Sequence, residues 1–472
     1  MIPCEPEAYN LMHEGAIVMS EISSNGFRID TEFLSNSRLK MQEEIKNVTK
    51  ELKEHDYWRL WKKRYGEKAK LTSPDQLGKL LFKELKYQPT AYTDKGKPST
   101  DALALEKIDD PFVRDYSRMC KLIKSDRTFL AGIERETRGG FLRVFFNLHT
   151  TKTWRSSSEA VNFQNLPIRE GEMARLIRSC FIPRKGRCIA EIDCSGVEVR
   201  ISACYHKDPA MIRYIEDPST DMHRDTACDI FLCKPEQVTK AARTASKNSF
   251  VFPEFYGSYY KTVGSDLWDV MEMRNITLNI NGKERSIRKH LAKKGITERG
   301  TSTEPEPGTF MDHIRTVEKI FWKERFRGYD KWKFDTFAQY LKTGGWKTKT
   351  GFQVTGIYSK NDVTNHPIQG SAFHCLLWGL IRLQKWLRKH KMKTLIIGQI
   401  HDSVVLDAVP SELQDVLHKW KYIMEVELPR HWKWIIVPMV VEADVAPIDA
   451  SWFAKEPYDI NSKGIWVPKT AL

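Results

Sequence analysis

The run Leu395–Ile400, then three polar residues, then the run Val404–Leu406 constrains this chain more than any other feature. Aliphatic and β-branched residues on both sides of a short polar tip predict a hairpin, and the tip here is His401-Asp402. A carboxylate would therefore stand at the turn of two otherwise buried strands. A second such placement lies about two hundred residues earlier. There Ile189, Ala190 and Ile192 form a short buried-strand run that ends on Asp193, and a helical pattern follows. Either aspartate alone is an ordinary turn former or helix cap. At 472 residues the chain exceeds one compact core, so two or three sub-domains are expected.

Composition narrows the partners. A formal charge of +14 favours a polyanion, because Lys and Arg displace counterions from phosphates; charge by itself says nothing about chemistry. No apolar run approaches the roughly 18 residues that span a bilayer. The start, Met1 to Glu7, lacks the basic and apolar regions of a secretory signal, so a cytoplasmic protein without membrane contact is expected. Nine scattered cysteines include no CxxC pair, and nothing near Cys228 and Cys233 completes a zinc site. All nine are read as reduced thiols.

Met41, Ile45, Val48 and Leu52 recur at helical spacing, which predicts one long amphipathic helix from Leu39 towards Trp58 and Trp61. Thr31 or Ser35 is the expected cap, after the short segment Gly26 to Asp30. A helix from Asp75 to Leu85 and a polar connection from Tyr92 to Thr100 follow. Asn281-Gly282 carries the signal of a tight hairpin turn. Arg299 to Gly308, with Pro305 and Pro307, reads as a mobile loop, and Val437 to Val445 as a strand. Residues 270–345 suggest no chemical role.

The neighbours of the two aspartates add more. Asp193-Cys194-Ser195-Gly196-Val197-Glu198-Val199-Arg200 resembles the first catalytic motif of family A DNA polymerases. In that family the Asp is followed by Tyr-Ser-Gln-Ile-Glu-Leu-Arg; Cys194 and Gly196 depart from it. Gln399-Ile400-His401-Asp402-Ser403 resembles the third motif, with Ser403 in place of a Glu. Arg243, Lys247, Tyr256 and Gly257 follow the family's Arg-x3-Lys…Tyr-Gly pattern on a helix predicted from about Glu236. One extra residue lies between Lys247 and Tyr256, and Pro253 interrupts the helix, so Phe250 and Phe252 compete for the aromatic place against the incoming sugar.

Three further blocks agree in order. Thr153-Trp154-Arg155-Ser156-Ser157-Ser158 through Asn162-Phe163-Gln164-Asn165-Leu166-Pro167 resembles the block that tracks the primer-template minor groove, with Trp154 where the family has Gly. Asn365-His366-Pro367-Ile368-Gln369-Gly370 resembles a template-contacting block, and Asp221-Met222-His223 a more weakly matching Asp-Ile-His. Looser similarity extends from Gly26 to Trp452.

The resemblance implies an α+β right-hand fold with an antiparallel palm sheet, helical fingers and a helical thumb. It divides the chain into palm (1–30), thumb (31–130), palm (131–220), fingers with an insertion around 270–345 (221–365), and palm (366–472). It implies primer-dependent DNA synthesis on two Mg²⁺ ions, with Mn²⁺ as a substitute, held by Asp193, Asp402 and the Cys194 carbonyl. Glu198, His223, Arg243, Lys247, Tyr256 and one of the two phenylalanines would hold the deoxynucleoside triphosphate. Primer-template DNA would meet Arg155, Asn162, Gln164, Asn165, Asn365, Gln369, Gln399 and His401.

Similarity to the palm begins within the first thirty residues, so no 3′–5′ exonuclease is expected in this chain; a separate exonuclease or processivity factor would be a partner. Departures at Trp154, Cys194 and Gly196 suggest a phage or mobile-element lineage. The alternatives are a single-subunit phage-type RNA polymerase and an inactive DNA-binding scaffold. Glu198 and the Tyr256-Gly257 pair argue against the first, and the two retained carboxylates against the second.

Overall fold

The two aspartate-bearing runs, distant in sequence, are neighbours in one sheet. The computed structural model describes residues 2–93, 96–167 and 171–471. Its central sheet is antiparallel and six-stranded, in the order Leu395–Ile400, Ser403–Ala408, Cys188–Cys194, Val441–Val445, Glu456–Ile460 and Trp466–Pro468. Asp193 lies opposite Ser403 on one neighbouring strand and opposite Glu442 on the other. The strand expected over Val437 to Val445 is confined to Val441–Val445. Pro438, which has no N–H to give a ladder, lies in the excluded part.

The sheet is packed on both sides. Helix Pro6–Asn25 lies against both the strand Leu395–Ile400 and the 30-residue helix Lys360–Lys389. Elsewhere Phe27, Phe163, Phe181 and Trp452 form an aromatic cluster in which Phe163 stacks on Trp452 at 5.5 Å between centroids. Such pairs add about 1 kcal/mol each beyond the area they bury. Because Phe163 belongs to the 151–167 block, this packing holds that block under the hairpin.

Helices dominate residues 31–136, and the four-stranded sheet Thr137–Arg138, Phe141–Leu142, Phe27–Ile29, Phe181–Ile182 lies at their junction with the rest of the chain. Here three expectations change. The first helix runs from Thr31 to Glu54 and is capped by Asp30, whose carboxylate accepts from the Phe33 N–H at 2.9 Å. It does not continue to Trp61: the chain breaks at His55, whose Nδ1 accepts from the Tyr57 N–H, and a new helix spans Asp56–Tyr65. The helix expected from Asp75 starts at Pro74 and widens after Gly78 into a π-type turn. Residues 94–95 of the Tyr92–Thr100 connection lie outside the described residues.

The predicted tight hairpin pairs Thr277–Ile280 with Lys283–Ser286, and Asn281 and Gly282 both have positive φ (54° and 74°). Residues 299–308 form an irregular loop, pinned near its start by Arg299 pairing with Asp269.

Candidate active site

Three strand ends build an acidic edge. Asp402 occupies the two-residue turn between Ile400 and Ser403, and its carbonyl accepts from the Cys194 N–H at 3.1 Å. Asp193 stands across from it, with Glu191 and Glu442 also near. Burial pushes the Asp193 carboxyl up to about 8, and the Asp402 charge and a hydrogen bond with Asp402 add to the effect. Burial likewise raises Asp402. Two carboxyls that cannot both ionise cheaply are a place where hard cations are favoured. Glu191 is treated differently: burial opposes its charge, but Lys455 at 2.6 Å, Arg178 and the Trp452 N–H more than offset this. Gly196, after the strand, has φ +59° as the residue before helix Val197–His206, a conformation that favours glycine.

A cationic face comes from a helix whose expected shape is corrected. It begins at Lys240, not Glu236, because Thr239 caps it and Val238 is drawn into a bridge with Leu278. The chain continues helically through Pro253 to Phe255, with a π-type turn over Lys247–Val251. An i→i+5 turn accommodates one residue more than a regular helix, so the extra residue and Pro253 are absorbed without a break. It also separates the two phenylalanines. Phe250 is fully buried, edge-on to Phe321 at 5.4 Å, and is corrected from a sugar-facing to a core residue. Phe252 is half-buried beside the His223 ring at 5.6 Å and the Lys247 ammonium at 5.1 Å.

Arg243 donates from Nε to Asp221 at 2.6 Å. The same Asp221 caps helix Met222–Phe231 by accepting from the His223 and Arg224 N–H groups. Burial, with Arg243 and Lys247 nearby, lowers His223 to about 4. His223, expected to hold the triphosphate, is thus a neutral hydrogen-bonding group and not a third cation.

One bridge joins the two faces. Glu198 accepts from the Tyr256 hydroxyl at 2.8 Å and pairs with Arg155 at 2.9 Å. Asn365 donates to the Tyr256 carbonyl, and Asn361 to that of Gly257. Gly257 has φ +91°, a backbone that favours glycine, and a Cβ there would also displace the Asn361 amide. Asn162, Asn165 and His401 are exposed and Gln369 is half-buried.

Two expected DNA contacts are corrected. The Gln399 side chain is fully buried, and its Oε1 accepts from Ser156 at 2.5 Å and Gln164 at 2.7 Å. Its Nε2 donates to the His401 carbonyl at 2.7 Å. Gln164 and Gln399 thus consume their amides in bracing the hairpin turn. Trp154 keeps φ +57° although it is not glycine, with its ring 5.6 Å from Phe352. Sequence reasoning missed Asp221 as the partner of Arg243, Arg155 as the partner of Glu198, and Glu442 opposite Asp193. The only sequence signal was for Asp221, a helix-capping residue directly before the Met222-His223 pair.

Comparison with known proteins identifies the family and the fold. The sequence model of DNA polymerase family A matches residues 32–273 and 340–452. A DNA polymerase of Bacillus phage SP01 is 25% identical over 519 aligned residues, covering 97% of this chain and 52% of that protein. DNA polymerase I of Bacillus subtilis is 27% identical over 458, covering 93% and 44%. The chain thus spans about half the length of the curated relatives it matches. The polymerase domain of Pol1 from M. smegmatis, solved with DNA primer-template and dNTP, superposes with a TM-score of 0.74 at 21% identity. That match covers 94% of this chain and 70% of the other. The fold is therefore the right-hand α+β fold with palm sheet, helical fingers and helical thumb.

Proposed function

The chain belongs to DNA polymerase family A, and from that premise we propose that it extends the 3′-hydroxyl of a DNA primer with deoxynucleotides, copying a template. The observation that carries this is the convergence of Asp193 and Asp402 at one end of the central sheet. Their mutual repulsion and hard oxygen donors suit divalent cations, and Mg²⁺, or Mn²⁺ in its place, is the ion class that fits. When bound, such ions supply activation of the attacking hydroxyl and neutralisation of the leaving pyrophosphate.

The chain's own residues account for the rest. Arg243 and Lys247 bind the triphosphate and stabilise charge as it moves to the leaving group; Arg243 must leave Asp221 to do so. His223, neutral before binding, contributes a hydrogen bond. Phe252 offers its ring to the sugar. Tyr256 stacks at the template position until the fingers close, while Glu198, fixed by Tyr256 and Arg155, fills the space of a 2′-hydroxyl. Asn162, Asn165, Gln369, His401 and Arg155 meet the duplex near the primer end, where minor-groove acceptors are shared by all base pairs.

The domain boundaries 1–30, 31–130, 131–220, 221–365 and 366–472 belong to this reading, which covers synthesis and no excision step. Primer extension by wild type and Asp402→Asn is the test. The variant should bind primer-template normally and extend it about a thousandfold more slowly. Full activity in Asp402→Asn would sink the metal assignment, and promoter-dependent ribonucleotide synthesis without a primer would replace the reading with an RNA polymerase.

A further inference from the structure

The family match leaves residues 274–339 uncovered, and the first part of that stretch folds as a small module on the fingers. It comprises the hairpin Thr277–Ile280/Lys283–Ser286 and the helix Ile287–Lys293. Ile276, Leu278, Ile287, Leu291 and Ile296 are buried, so the module is packed and not a flexible loop. It is fastened to the helix that carries Arg243. Thr239, the cap of that helix, donates to the Thr277 carbonyl at 2.7 Å, and Val238 bridges to Leu278. Arg288 lies 3.4 Å over the Trp268 ring and pairs with Glu272, and His290 hydrogen-bonds the Leu232 carbonyl.

The outer face gathers positive charge. Arg274, Lys283, Arg285, Lys289, Lys293 and Lys294 are all exposed. No ion pair to any of them occurs among the described residues. Between Arg274 and Lys294 the sole acidic residue is Glu284, and it is occupied by the Thr277 hydroxyl.

We propose that this face binds the phosphate backbone of duplex DNA ahead of the growing primer end, an inference that rests on the polymerase reading above. Three observations select that partner. The hairpin and helix together extend roughly 20 Å, which matches about six phosphates along one strand and is too long for a single triphosphate. Residues 274–299 include no Phe, Tyr or Trp, and the one imidazole, His290, is held by the Leu232 carbonyl, so the stacking platform that favours single strands is missing. Helix Tyr260–Met273, about 20 Å long, runs between Tyr259 and the module, which is fastened at the Thr239 end of the Arg243 helix. The proposal puts the paired duplex of a gap or fork on this face, away from Tyr256.

The test is a variant with Lys283, Arg285, Lys289, Lys293 and Lys294 all replaced by Gln, checked for an unchanged melting temperature. On a primer-template with a plain single-stranded overhang, extension should match wild type within about twofold. On the same primer facing a downstream duplex across a short gap, strand-displacing extension should fall about tenfold near physiological salt. Binding of the gapped DNA, measured by fluorescence anisotropy in an Asp402→Asn background, should lose about 0.9 in salt slope for each phosphate contact removed. Equal losses on both substrates would mean general steering of DNA, and no loss on either would mean a merely solvated face. Loss on the open overhang alone would mean single-strand binding. Each of these overturns the proposal. Because the anisotropy arm needs no catalysis, absence of extension by wild type would sink the polymerase reading while leaving this inference readable.

Discussion

The acidic edge of the sheet and the cationic face of the fingers meet the same difficulty, like charges gathered in a partly dry place, with opposite solutions. Asp193 and Asp402 are fixed on three hydrogen-bonded strands, and neither has a cation of the chain to relieve it in the described structure. Arg243 is paired internally with Asp221, and His223 is kept neutral. The rigid side retains its repulsion and awaits external charge; the helical side is neutralised in advance and must exchange a partner to act. Breaking the rigid side should therefore cost most. Asp402→Asn should lower the rate of extension about a thousandfold, corresponding to roughly 4 kcal/mol of transition-state stabilisation, with the primer-template Kd unchanged by anisotropy.

The cationic side should prove more forgiving. Lys247→Ala removes one of two triphosphate cations and should lower kcat/KM about a hundredfold in single-nucleotide incorporation. A loss as large as that of Asp402→Asn would erase the contrast between the faces. Glu198→Ala tests the bridge between them. It frees Arg155 and Tyr256 together and opens the space of a hydroxyl, so discrimination against ribonucleotides should fall about tenfold or more. Unchanged discrimination in competition assays would remove the steric role.

The same contrast explains what could be read in advance. Asp193 and Asp402 were legible because a strand pattern and its flanking motif are local features, and both strands are short and aliphatic. The Asn281-Gly282 turn was legible for the same reason. Gln164 and Gln399 were misread because a buried amide network joins residues 235 apart, and no periodicity reports it. The wide turn at Lys247–Val251 was missed because one added residue leaves helical spacing almost unchanged. The Asp221 partner lies 22 residues before Arg243 across a helix and a connection, and only its capping role left a trace. The docking of the 277–293 module depends on contacts with Thr239 and Leu232 that the module's own sequence does not encode.

Retained repulsion on the acidic side has a pH signature. Burial and the Asp402 charge push Asp193 up to about 8 from an ordinary 3.8, and Asp402 is raised with it. Between those values the folded protein holds a proton that the unfolded chain has released, so stability falls as pH rises. The contribution is fully present below the lower value and lost above the higher. In chelator, the melting temperature of wild type should therefore decline relative to Asp193→Asn from pH 5 to pH 8. Adding Mg²⁺ at pH 8 should raise wild type more than the variant. Parallel curves for the two proteins would show that the pair does not carry the repulsion described.

The smallest effect concerns the support of the hairpin. Trp154 holds a left-handed backbone, φ +57°, within the block that carries Arg155 and Ser156. For a residue with a Cβ this costs about 1–2 kcal/mol. Contact between its ring and Phe352 is part of what the side chain returns. Trp154→Ala and Trp154→Gly lose the ring equally, but only the second relieves the backbone, and glycine gives back part of that gain through its freer unfolded chain. Trp154→Gly should thus be the more stable of the two by about 1 kcal/mol in urea unfolding. Equal stability would mean that the local backbone is not strained, and that the sheet-borne side of the site tolerates a departure there at no cost.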